Sequence, residues 1–364
     1  MIRIGILGCG KISDAYFAGL AHYSILKVSA CADLDFPRAQ AKAAQHGVRA
    51  LSVDALLADP DLDLIVNLTI PQAHAAVNER ILRAGKHAYC EKPFALETAE
   101  GARVLALARE KNLLVGCAPD TFLGSGLQTA RQLIDQGAIG TPVSAMAFWL
   151  SRGHETWHPA PEFYYQAGGG PMFDMGPYYL TALVNFLGPI RRVGGLATRT
   201  FAERTITSEP LSGQKIAVEV PTHYLGTLEF VAGATASIAV SFDVHPFPFP
   251  RLVIYGTEGT LEAPDPNRFD GEVKLYDRAN KTYHTAPATH QAERLRGTGV
   301  ADMAYSILRR DRPARASGEL AQHVLEAMAG FDLAATTGRS VELQTTCARP
   351  AAVSATLAAN ELDA

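Results

Sequence analysis

The chain has 364 residues, with 33 lysines and arginines against 37 aspartates and glutamates, so its formal net charge is −4 at pH 7. Hydrophobic residues make up 48% and charged residues 19%, which is typical of a folded globular protein and excludes a disordered chain. The nearly balanced charge argues against a nucleic-acid partner, and no apolar run approaches the ~18 residues of a membrane span. The length predicts two domains, since one core rarely serves more than about 300 residues.

The N-terminal sequence leads directly into a predicted strand at residues 2–7, without the basic segment and cleavage site of an export signal. The 5 cysteines show neither CxxC spacing nor an even number, which fits a reducing compartment. We therefore expect a cytoplasmic protein. The histidines, cysteines and aspartates do not have the spacing of a zinc site, so no metal is predicted.

Short apolar strands alternate with helices through the first third of the chain. The predicted strands are residues 2–7, 27–32, 64–69, 87–90 and 113–117, and the predicted helices include 73–84 and 97–111. Apolar strands separated by helices are typical of a parallel sheet that is covered on both faces. We therefore predict a doubly wound α/β domain over residues 1–120.

Beyond residue 120 the pattern changes to strands that follow one another with short turns between them. The predicted helices are 125–136, 174–187 and 318–335, and the predicted strands are 222–230, 235–242, 251–255 and 260–262. Consecutive strands joined by turns indicate an antiparallel or mixed sheet. Residues 121–364 are therefore predicted to form a second, α+β domain, in which the proline-rich segment 245–250 is a loop or an edge.

A glycine-rich loop follows the first predicted strand, with the sequence GCGKIS at residues 8–13. Gly8 permits a tight turn, and Gly10 lets the backbone approach a pyrophosphate at the N-terminus of the next helix. Asp33 ends the second strand, twenty residues after Ser13, where a carboxylate can bind the ribose diol of a dinucleotide. The predicted dinucleotide site contains Gly8, Gly10, Lys11, Ile12 and Asp33. The alternative is a tight turn that binds nothing.

The charge around Asp33 favours NAD over NADP as the dinucleotide. The Asp33 carboxylate would repel a 2′-phosphate, and the following residue is Leu34 rather than an arginine that could neutralise the phosphate. The next basic side chain is Arg38, one helical turn into the following helix. NAD is therefore the predicted cofactor.

Two further motifs carry a family resemblance, AGKHAYCEKP at residues 84–93 and GGGPMFDMGPY at residues 168–178. Together with the glycine-rich loop, with Thr69, Ile70, Pro71 and His74, and with YGTEG at residues 255–259, they resemble the glucose–fructose oxidoreductase/inositol dehydrogenase (Gfo/Idh/MocA) family over nearly the whole chain. The resemblance implies a Rossmann domain followed by an α/β domain with a large open sheet that binds the substrate. It also implies a nicotinamide cofactor, a sugar or polyol substrate, and a homo-oligomer, either dimer or tetramer, whose contacts cover the open sheet.

The resemblance places a second group of residues at the cofactor, namely Thr69, Pro71, His74, Glu91 and Lys92. Lys92 also ends a predicted parallel strand at its carboxyl edge, where open α/β sheets bind ligands. There it can donate a hydrogen bond to a reacting hydroxyl and stabilise alkoxide character. The resemblance further implies that Glu91 orients Lys92 and that the Lys92–Pro93 peptide bond is cis. The alternative for Lys92 is a solvated lysine at a strand end.

Asp174 and Tyr178 lie four residues apart on one predicted helix, so their side chains share a face. Members of the family usually carry histidine, as general acid/base, at the position of Tyr178. Free tyrosine titrates near pH 10 and free histidine near pH 6.5, and a Lys92 cation beside Tyr178 would lower the pKa of that tyrosine. We therefore predict Lys92, Asp174 and Tyr178 as the catalytic residues, with Tyr178 moving the proton at alkaline pH. Tyr179 is predicted to pack in the core.

Nine aromatic residues lie between positions 148 and 179, and aromatic faces beside hydrogen-bonding groups suit sugars. Most of these aromatics are expected in the core. Trp157 and His158 precede Pro159 in a predicted loop and are the predicted pocket residues, whereas His154 and His245 are predicted to lie at the surface. The predicted substrate-binding set is Lys92, Trp157, His158, Asp174 and Tyr178.

Three functions are compatible with these residues. The leading hypothesis is an oxidoreductase that transfers hydride between a hydroxyl of a sugar or cyclic polyol and the nicotinamide. A related enzyme would oxidise a glycoside transiently, eliminate the aglycone and reduce the sugar again with the same cofactor; the absent histidine favours this variant. The third function is a non-catalytic regulator that binds nucleotide, against which the presence of Lys92 and Asp174 argues.

Overall fold

The computed structural model describes residues 1–290, 293–309 and 311–362. The chain divides into two units. The first contains Met1–Gln128, Thr289–Gln322 and Pro350–Ala364, and the second contains Thr129–Ala288 and His323–Arg349. This division differs from the predicted domains 1–120 and 121–364, because two later segments of the chain return to the first unit.

Buried hydrogen bonds explain why these later segments belong to the first unit. The fully buried carboxylate of Asp120 accepts the backbone N–H of Gly297 at 2.8 Å. In the last segment, the backbone N–H of Val353 donates to the side-chain oxygen of the buried Gln128 at 2.8 Å. Such contacts join residues that are distant in the chain, so no local sequence pattern predicts them.

The first unit is built on alternating strands and helices. They are β1 (Ile2–Leu7), α1 (Ser13–Leu20), β2 (Leu26–Ala32), α2 (Phe36–His46), β3 (Arg49–Leu51), α3 (Val53–Ala58), β4 (Leu64–Asn67), α4 (His74–Arg83), β5 (His87–Cys90), α5 (Thr98–Glu110) and β6 (Val115–Cys117). The strands, all within the described residues, form a six-stranded parallel sheet in the order β3-β2-β1-β4-β5-β6. The doubly wound parallel sheet is therefore confirmed.

The strand order reverses between β1 and β4, which is where doubly wound sheets bind ligands at the carboxyl ends of their strands. The predicted nucleotide loop follows β1, and the predicted segment 69–74 follows β4. Strand β4 ends at Asn67, two residues earlier than predicted, because the Asn67 side chain accepts the backbone N–H of Thr69 at 3.2 Å. That contact turns the chain away from the sheet.

The remaining elements lie after residue 124. They are α6 (Ser125–Asp135), β7 (Pro142–Leu150), α7 (Gly170–Leu187), β8 (Ile190–Thr198), β9 (Glu203–Thr205), β10 (Lys215–Ala217), β11 (His223–Phe230), β12 (Thr235–Ser241), β13 (Leu252–Gly256), β14 (Thr260–Ala263), β15 (Lys274–Asp277), β16 (Thr282–Thr285), α8 (Thr298–Leu308), α9 (Gly318–Thr337) and β17 (Val341–Glu342). Among the residues described, no helix is long and apolar enough to cross a membrane.

The second unit is organised around a nine-stranded sheet, counted over its described residues, in the order β16-β15-β14-β13-β7-β12-β11-β8-β17. Its neighbouring strands pair antiparallel except β7 and β12, which are parallel. A large and mostly antiparallel sheet is therefore confirmed. Strands β9 and β10 form a separate hairpin.

The two faces of this sheet differ in their packing. On one face Phe331 of α9 rests against Gly226, where an added Cβ atom would lie 2.2 Å from its ring. On the opposite face the register partners Leu196 and Leu225 are 67% and 51% exposed. The sheet therefore has one packed face and one open face that carries apolar side chains.

Helix α7 begins at Gly170, four residues before the predicted start, because Pro171 lies in its first turn, where proline needs no hydrogen-bond donor. Most of the helix is buried, including Tyr179, which is 0% exposed and confirms its predicted place in the core. Asp174 and Tyr178 lie one turn apart within this helix.

Candidate functional site

The glycine-rich loop between β1 and α1 has the geometry that its sequence predicts. Gly8 has φ +104°, and an added Cβ would lie 2.6 Å from the carbonyl oxygen of Leu68, so only glycine fits there. An added Cβ at Gly10 would meet nothing within 4 Å. Gly10 is therefore not required by protein packing and leaves open space beside the loop. Ser13 closes the loop by donating its hydroxyl to the Gly10 carbonyl at 2.7 Å.

The carboxylate of Asp33 is tied to this loop at the end of β2. Its Oδ2 accepts the backbone N–H of Cys9 at 2.8 Å, and its Oδ1 accepts that of Asp35 at 2.9 Å. The guanidinium of Arg38 lies 3.8 Å from Asp33 Oδ1 and 3.2 Å from Asp35. The sequence identified Arg38 only as the next basic residue along the chain. In the structure it lies beside Asp33, the carboxylate that is predicted to bind the ribose.

Asn67, at the end of β4, organises the loop that carries Thr69, Pro71 and His74. Its Oδ1 accepts the hydroxyl of Thr69 at 2.7 Å, and its Nδ2 donates to the backbone carbonyl of His74 at 3.2 Å. Pro71 begins a short 3-10 helix, Pro71–Ala73, that leads into α4. Sequence reasoning missed Asn67, although a buried amide at a strand end is a signal for such a role.

His74 links the loops that follow β4 and β5. Its Nδ1 lies 2.7 Å from the carbonyl oxygen of Pro93, and its Nε2 lies 3.0 Å from that of Thr69. Burial lowers the pKa of His74, so near neutral pH the ring is uncharged and donates to one of these carbonyls. A cofactor contact made through a ring nitrogen would require one of these contacts to break. The place of His74 at the cofactor stays a prediction.

Glu91 and Lys92 follow directly after β5. Glu91 accepts the hydroxyl of Tyr16 at 2.8 Å with Oε1 and the backbone N–H of Lys92 at 3.0 Å with Oε2. The Lys92–Pro93 peptide bond is cis, and Lys92 is half-buried. Burial, followed by the charge of Glu91, raises the pKa of Tyr16, so this buried phenol stays protonated and donates. Sequence reasoning missed Tyr16, which lies 75 residues from its partner.

In the second unit, Asp174 is held by a histidine. Nε2 of His154 lies 2.9 Å from Asp174 Oδ2, and the Asp174 side chain is 14% exposed. Tyr178, one turn further along α7, is 5% exposed. Asp174 and Tyr178 therefore occupy one largely buried stretch of the helix.

His154 was expected at the surface, and this prediction is wrong because the residue is only 6% exposed. The chain makes a helical turn here, since the backbone N–H groups of Trp157 and His158 both donate to the His154 carbonyl, at 3.2 and 3.0 Å. The spacing of His154, Trp157 and His158 was the sequence signal for that turn. The other histidine predicted at the surface, His245, is exposed.

The two predicted pocket residues differ in their surroundings. Trp157 is 56% exposed, and its indole Nε1 donates to Nδ1 of His154 at 3.1 Å. His158 is half-buried, and its Nδ1 accepts the backbone N–H of Ala160 at 3.1 Å. The structure therefore brings Trp157 into a chain of contacts with Asp174 and gives His158 a local role in its loop.

Two consecutive segments of the chain match family models. The model described as "Oxidoreductase family, NAD-binding Rossmann fold" matches residues 2–118, and that described as "GFO/IDH/MocA C-terminal domain" matches residues 127–262. The first match contains the glycine-rich loop, Asp33 and Lys92, and the second contains Asp174 and Tyr178.

Similar proteins include two sugar reductases. The dTDP-3,4-didehydro-2,6-dideoxy-alpha-D-glucose 3-reductase of Streptomyces violaceoruber is 34% identical over 209 residues, which cover 54% of this chain and 58% of that protein. The 1,5-anhydro-D-fructose reductase of Ensifer adhaerens is 26% identical over 267 residues, covering 72% of this chain and 75% of that protein. The first reductase is therefore matched over less than two thirds of its length.

The fold itself recurs in solved structures. An NAD binding oxidoreductase from Klebsiella pneumoniae superposes with a TM-score of 0.81 at 22% identity, covering 94% of this chain and 98% of that one. This likeness concerns the fold alone. Since family models match both parts of the sequence, the chain belongs to the GFO/IDH/MocA family of oxidoreductases.

Proposed function

We propose that this protein transfers hydride between a hydroxyl group of a sugar or cyclic polyol and a nicotinamide cofactor. The observation that carries this proposal is Lys92, a half-buried lysine at the carboxyl end of β5 whose backbone N–H is held by Glu91. A lysine at that edge of a nucleotide-binding sheet can act on a bound hydroxyl. The two similar reductases, whose names both describe sugar substrates, support the substrate class.

The residues of the glycine-rich loop fit a dinucleotide. Gly10 leaves open space in front of the N-terminus of α1, where backbone N–H groups attract a pyrophosphate. Asp33 accepts the Cys9 N–H and thereby stays beside the loop, in place to accept the hydroxyls of a ribose. We propose NAD rather than NADP, because this carboxylate would repel a 2′-phosphate. When bound, the nicotinamide supplies the carbon that accepts or gives up hydride.

Each catalytic residue has one role in the proposed reaction. The Lys92 ammonium donates a hydrogen bond to the oxygen of the reacting substrate hydroxyl. It thereby stabilises the negative charge that develops on this oxygen as the hydroxyl proton leaves. The Tyr178 phenolate takes up that proton during oxidation of the substrate, and the resulting Tyr178 hydroxyl returns it during reduction. Asp174 accepts a hydrogen bond from a substrate hydroxyl, and the exposed indole of Trp157 offers a flat surface to the C–H face of a sugar.

The first test is a substrate panel. Purified protein with NAD⁺ or NADH is offered aldoses, inositols, ketoses and glycosides, and both cofactor absorbance and sugar products are followed. We expect a change of cofactor redox state with at least one sugar or polyol. Cleavage of a glycoside without net NADH would instead indicate transient oxidation, and no reaction with any member of the panel would contradict the proposal.

Cofactor preference gives a second prediction. Replacing Asp33 by asparagine removes the charge that opposes a 2′-phosphate but leaves Arg38, which lies 3.8 Å away, able to bind it. We expect Asp33→Asn to lower the Kd for NADP⁺ about tenfold, equivalent to about 1.4 kcal/mol, and to raise that for NAD⁺. Titrations with both cofactors measure this effect.

The control for this prediction is Asp35→Asn, because Asp35 also pairs with Arg38 but accepts no hydrogen bond from the glycine-rich loop. That variant is expected to keep the preference of the parent protein. Tighter binding of NADP⁺ than of NAD⁺ by the unmodified protein would overturn the assignment of NAD.

We also propose that the protein forms a homo-oligomer through the open face of its nine-stranded sheet. Strands of this sheet carry exposed apolar side chains, namely Leu196, Leu225 and Met146, which are 67%, 51% and 40% exposed. Leu196 and Leu225 lie opposite each other on neighbouring strands and so form part of one apolar surface. A second copy of the chain is the usual cover for such a surface.

A further inference from the structure

His154 connects an exposed tryptophan to the carboxylate of Asp174. Its Nε2 lies 2.9 Å from Asp174 Oδ2, and its Nδ1 lies 3.1 Å from the indole Nε1 of Trp157. The side chains of His154 and Asp174 are only 8% and 14% exposed. This contact therefore differs from a mobile surface pair, and both of its members are fixed within the second unit.

The indole of Trp157 determines which tautomer His154 adopts. An indole N–H can only donate, so Nδ1 of His154 must accept it and carries the lone pair. The ring proton then lies on Nε2 and is donated to Asp174. A second proton on Nδ1 would displace the Trp157 hydrogen bond. His154 is therefore arranged to donate to Asp174 through Nε2 and to accept from Trp157 through Nδ1.

Aromatic rings enclose the imidazole of His154. The ring centroids of Trp149, Trp157, Tyr164 and Phe242 lie 5.8, 5.1, 4.3 and 4.7 Å from that of His154. These rings reduce the access of water, which would otherwise compete for the hydrogen bond to Asp174. A hydrogen bond in such weakly polar surroundings is stronger than one in water, so it restrains the carboxylate more firmly.

A buried charge network anchors the loop that carries His154. The backbone N–H of His154 donates to the Tyr165 hydroxyl at 3.1 Å, and that hydroxyl donates to the carboxylate of Glu155. Arg204 binds Glu155 at 2.7 Å and also pairs with Asp243, and these charged side chains are only 3% to 8% exposed. The network fixes the backbone at residue 154, so the His154 ring itself can be varied while its anchor remains.

We propose that His154 is a positioning residue that holds the Asp174 carboxylate in its productive orientation, with Trp157 fixing the required tautomer. This rests on the proposed function, in which Asp174 accepts a hydrogen bond from a substrate hydroxyl. A carboxylate that already has one orientation needs no reorganisation in the transition state. Loss of the restraint therefore lowers kcat more than it raises KM.

The experiment compares two replacements of His154. Phenylalanine keeps a ring among the aromatic neighbours but removes the donor, whereas glutamine keeps an ε-nitrogen that can donate to Asp174. We expect His154→Phe to lower kcat roughly 10-fold to 100-fold with less than about a threefold change in KM. His154→Gln is expected to restore kcat to within about threefold of the parent protein. His245→Gln, at an exposed histidine of the same unit, is the matched control.

The tautomer is tested without any enzymatic assay. Nitrogen-15 NMR of the parent protein at pH 7 should show a protonated Nε2 and an unprotonated Nδ1 for His154, with the signal assigned by its absence from His154→Phe. A protonated Nδ1 would overturn the inference, as would equal losses of kcat in the phenylalanine and glutamine variants, or no loss in either. If the parent protein converts no sugar or polyol, the proposed function fails. The NMR result would still show whether Nε2 of His154 carries the proton that is donated to Asp174.

Discussion

Replacing Tyr178 by phenylalanine is expected to lower kcat by about 10³-fold while cofactor still binds with unchanged affinity. The substitution removes only the phenolic oxygen, and the ring remains in a position that is 5% exposed, so the packing of α7 is retained. Proton transfer by a positioned side chain contributes about 10²-fold to 10⁴-fold to enzyme rates. Single-turnover measurements of cofactor oxidation state, with Kd for NAD⁺ measured alongside, quantify both effects.

Tyr179→Phe is the matched control for this experiment. Tyr179 is the next residue of the same helix, is 0% exposed and also carries a buried hydroxyl, but the proposed reaction assigns it no proton. We expect turnover close to that of the parent protein. If both phenylalanine variants lose activity equally, the effect comes from helix packing. Near-normal turnover of Tyr178→Phe would show that another group carries the proton.

The variant Tyr178→His tests whether position 178 serves as the general acid/base when a different titratable side chain stands there. The family resemblance implies that histidine usually serves as general acid/base at this position, and free histidine titrates about 3 to 4 pH units below free tyrosine. Tyr178→His is therefore expected to keep measurable activity, with an optimum nearer to neutral pH than that of the parent protein.

The nucleotide loop was predictable because its chemistry is local. Gly8 requires a positive φ and Gly10 borders open space, and both residues lie within a single strand–turn–helix segment. Strand β5 was likewise predicted with its observed bounds, His87–Cys90, because a short, fully buried apolar run between two helices is typical of a parallel strand. The positions of the glycine-rich loop and of Lys92 after β5 therefore follow from residues that are close to them in the sequence.

The contacts of the site were not predictable, because they join residues distant in the chain. His154 and Asp174 are separated by 20 positions, and Tyr16 and Glu91 by 75, so periodicity and spacing carry no information about their meeting. Strand β7 was missed for another reason. Its sequence, PVSAMAFWL, is apolar on both faces, with Met146 exposed beside buried neighbours, and so lacks the alternation that marks a half-buried strand.

Replacing Lys92 by methionine is expected to lower kcat by about 10²-fold to 10³-fold. Methionine retains an unbranched side chain at this half-buried position but removes the charge and the donors that stabilise a developing alkoxide, and loss of one such donor typically has an effect of this size. Since Glu91 holds the backbone N–H of residue 92, the turn after β5 is expected to persist in the variant. Steady-state kinetics with a substrate found in the panel measure the loss.

A deuterated substrate shows which step Lys92 serves. If the lysine stabilises charge during hydride transfer, its removal makes that step limiting, so the primary deuterium isotope effect on kcat should be larger in Lys92→Met than in the parent protein. Lys27→Met, at an exposed lysine in β2 of the same sheet, should change neither kcat nor the isotope effect. A low kcat with no isotope effect would mean that Lys92 governs binding or release, and kcat within about threefold of the parent would remove Lys92 from the reaction.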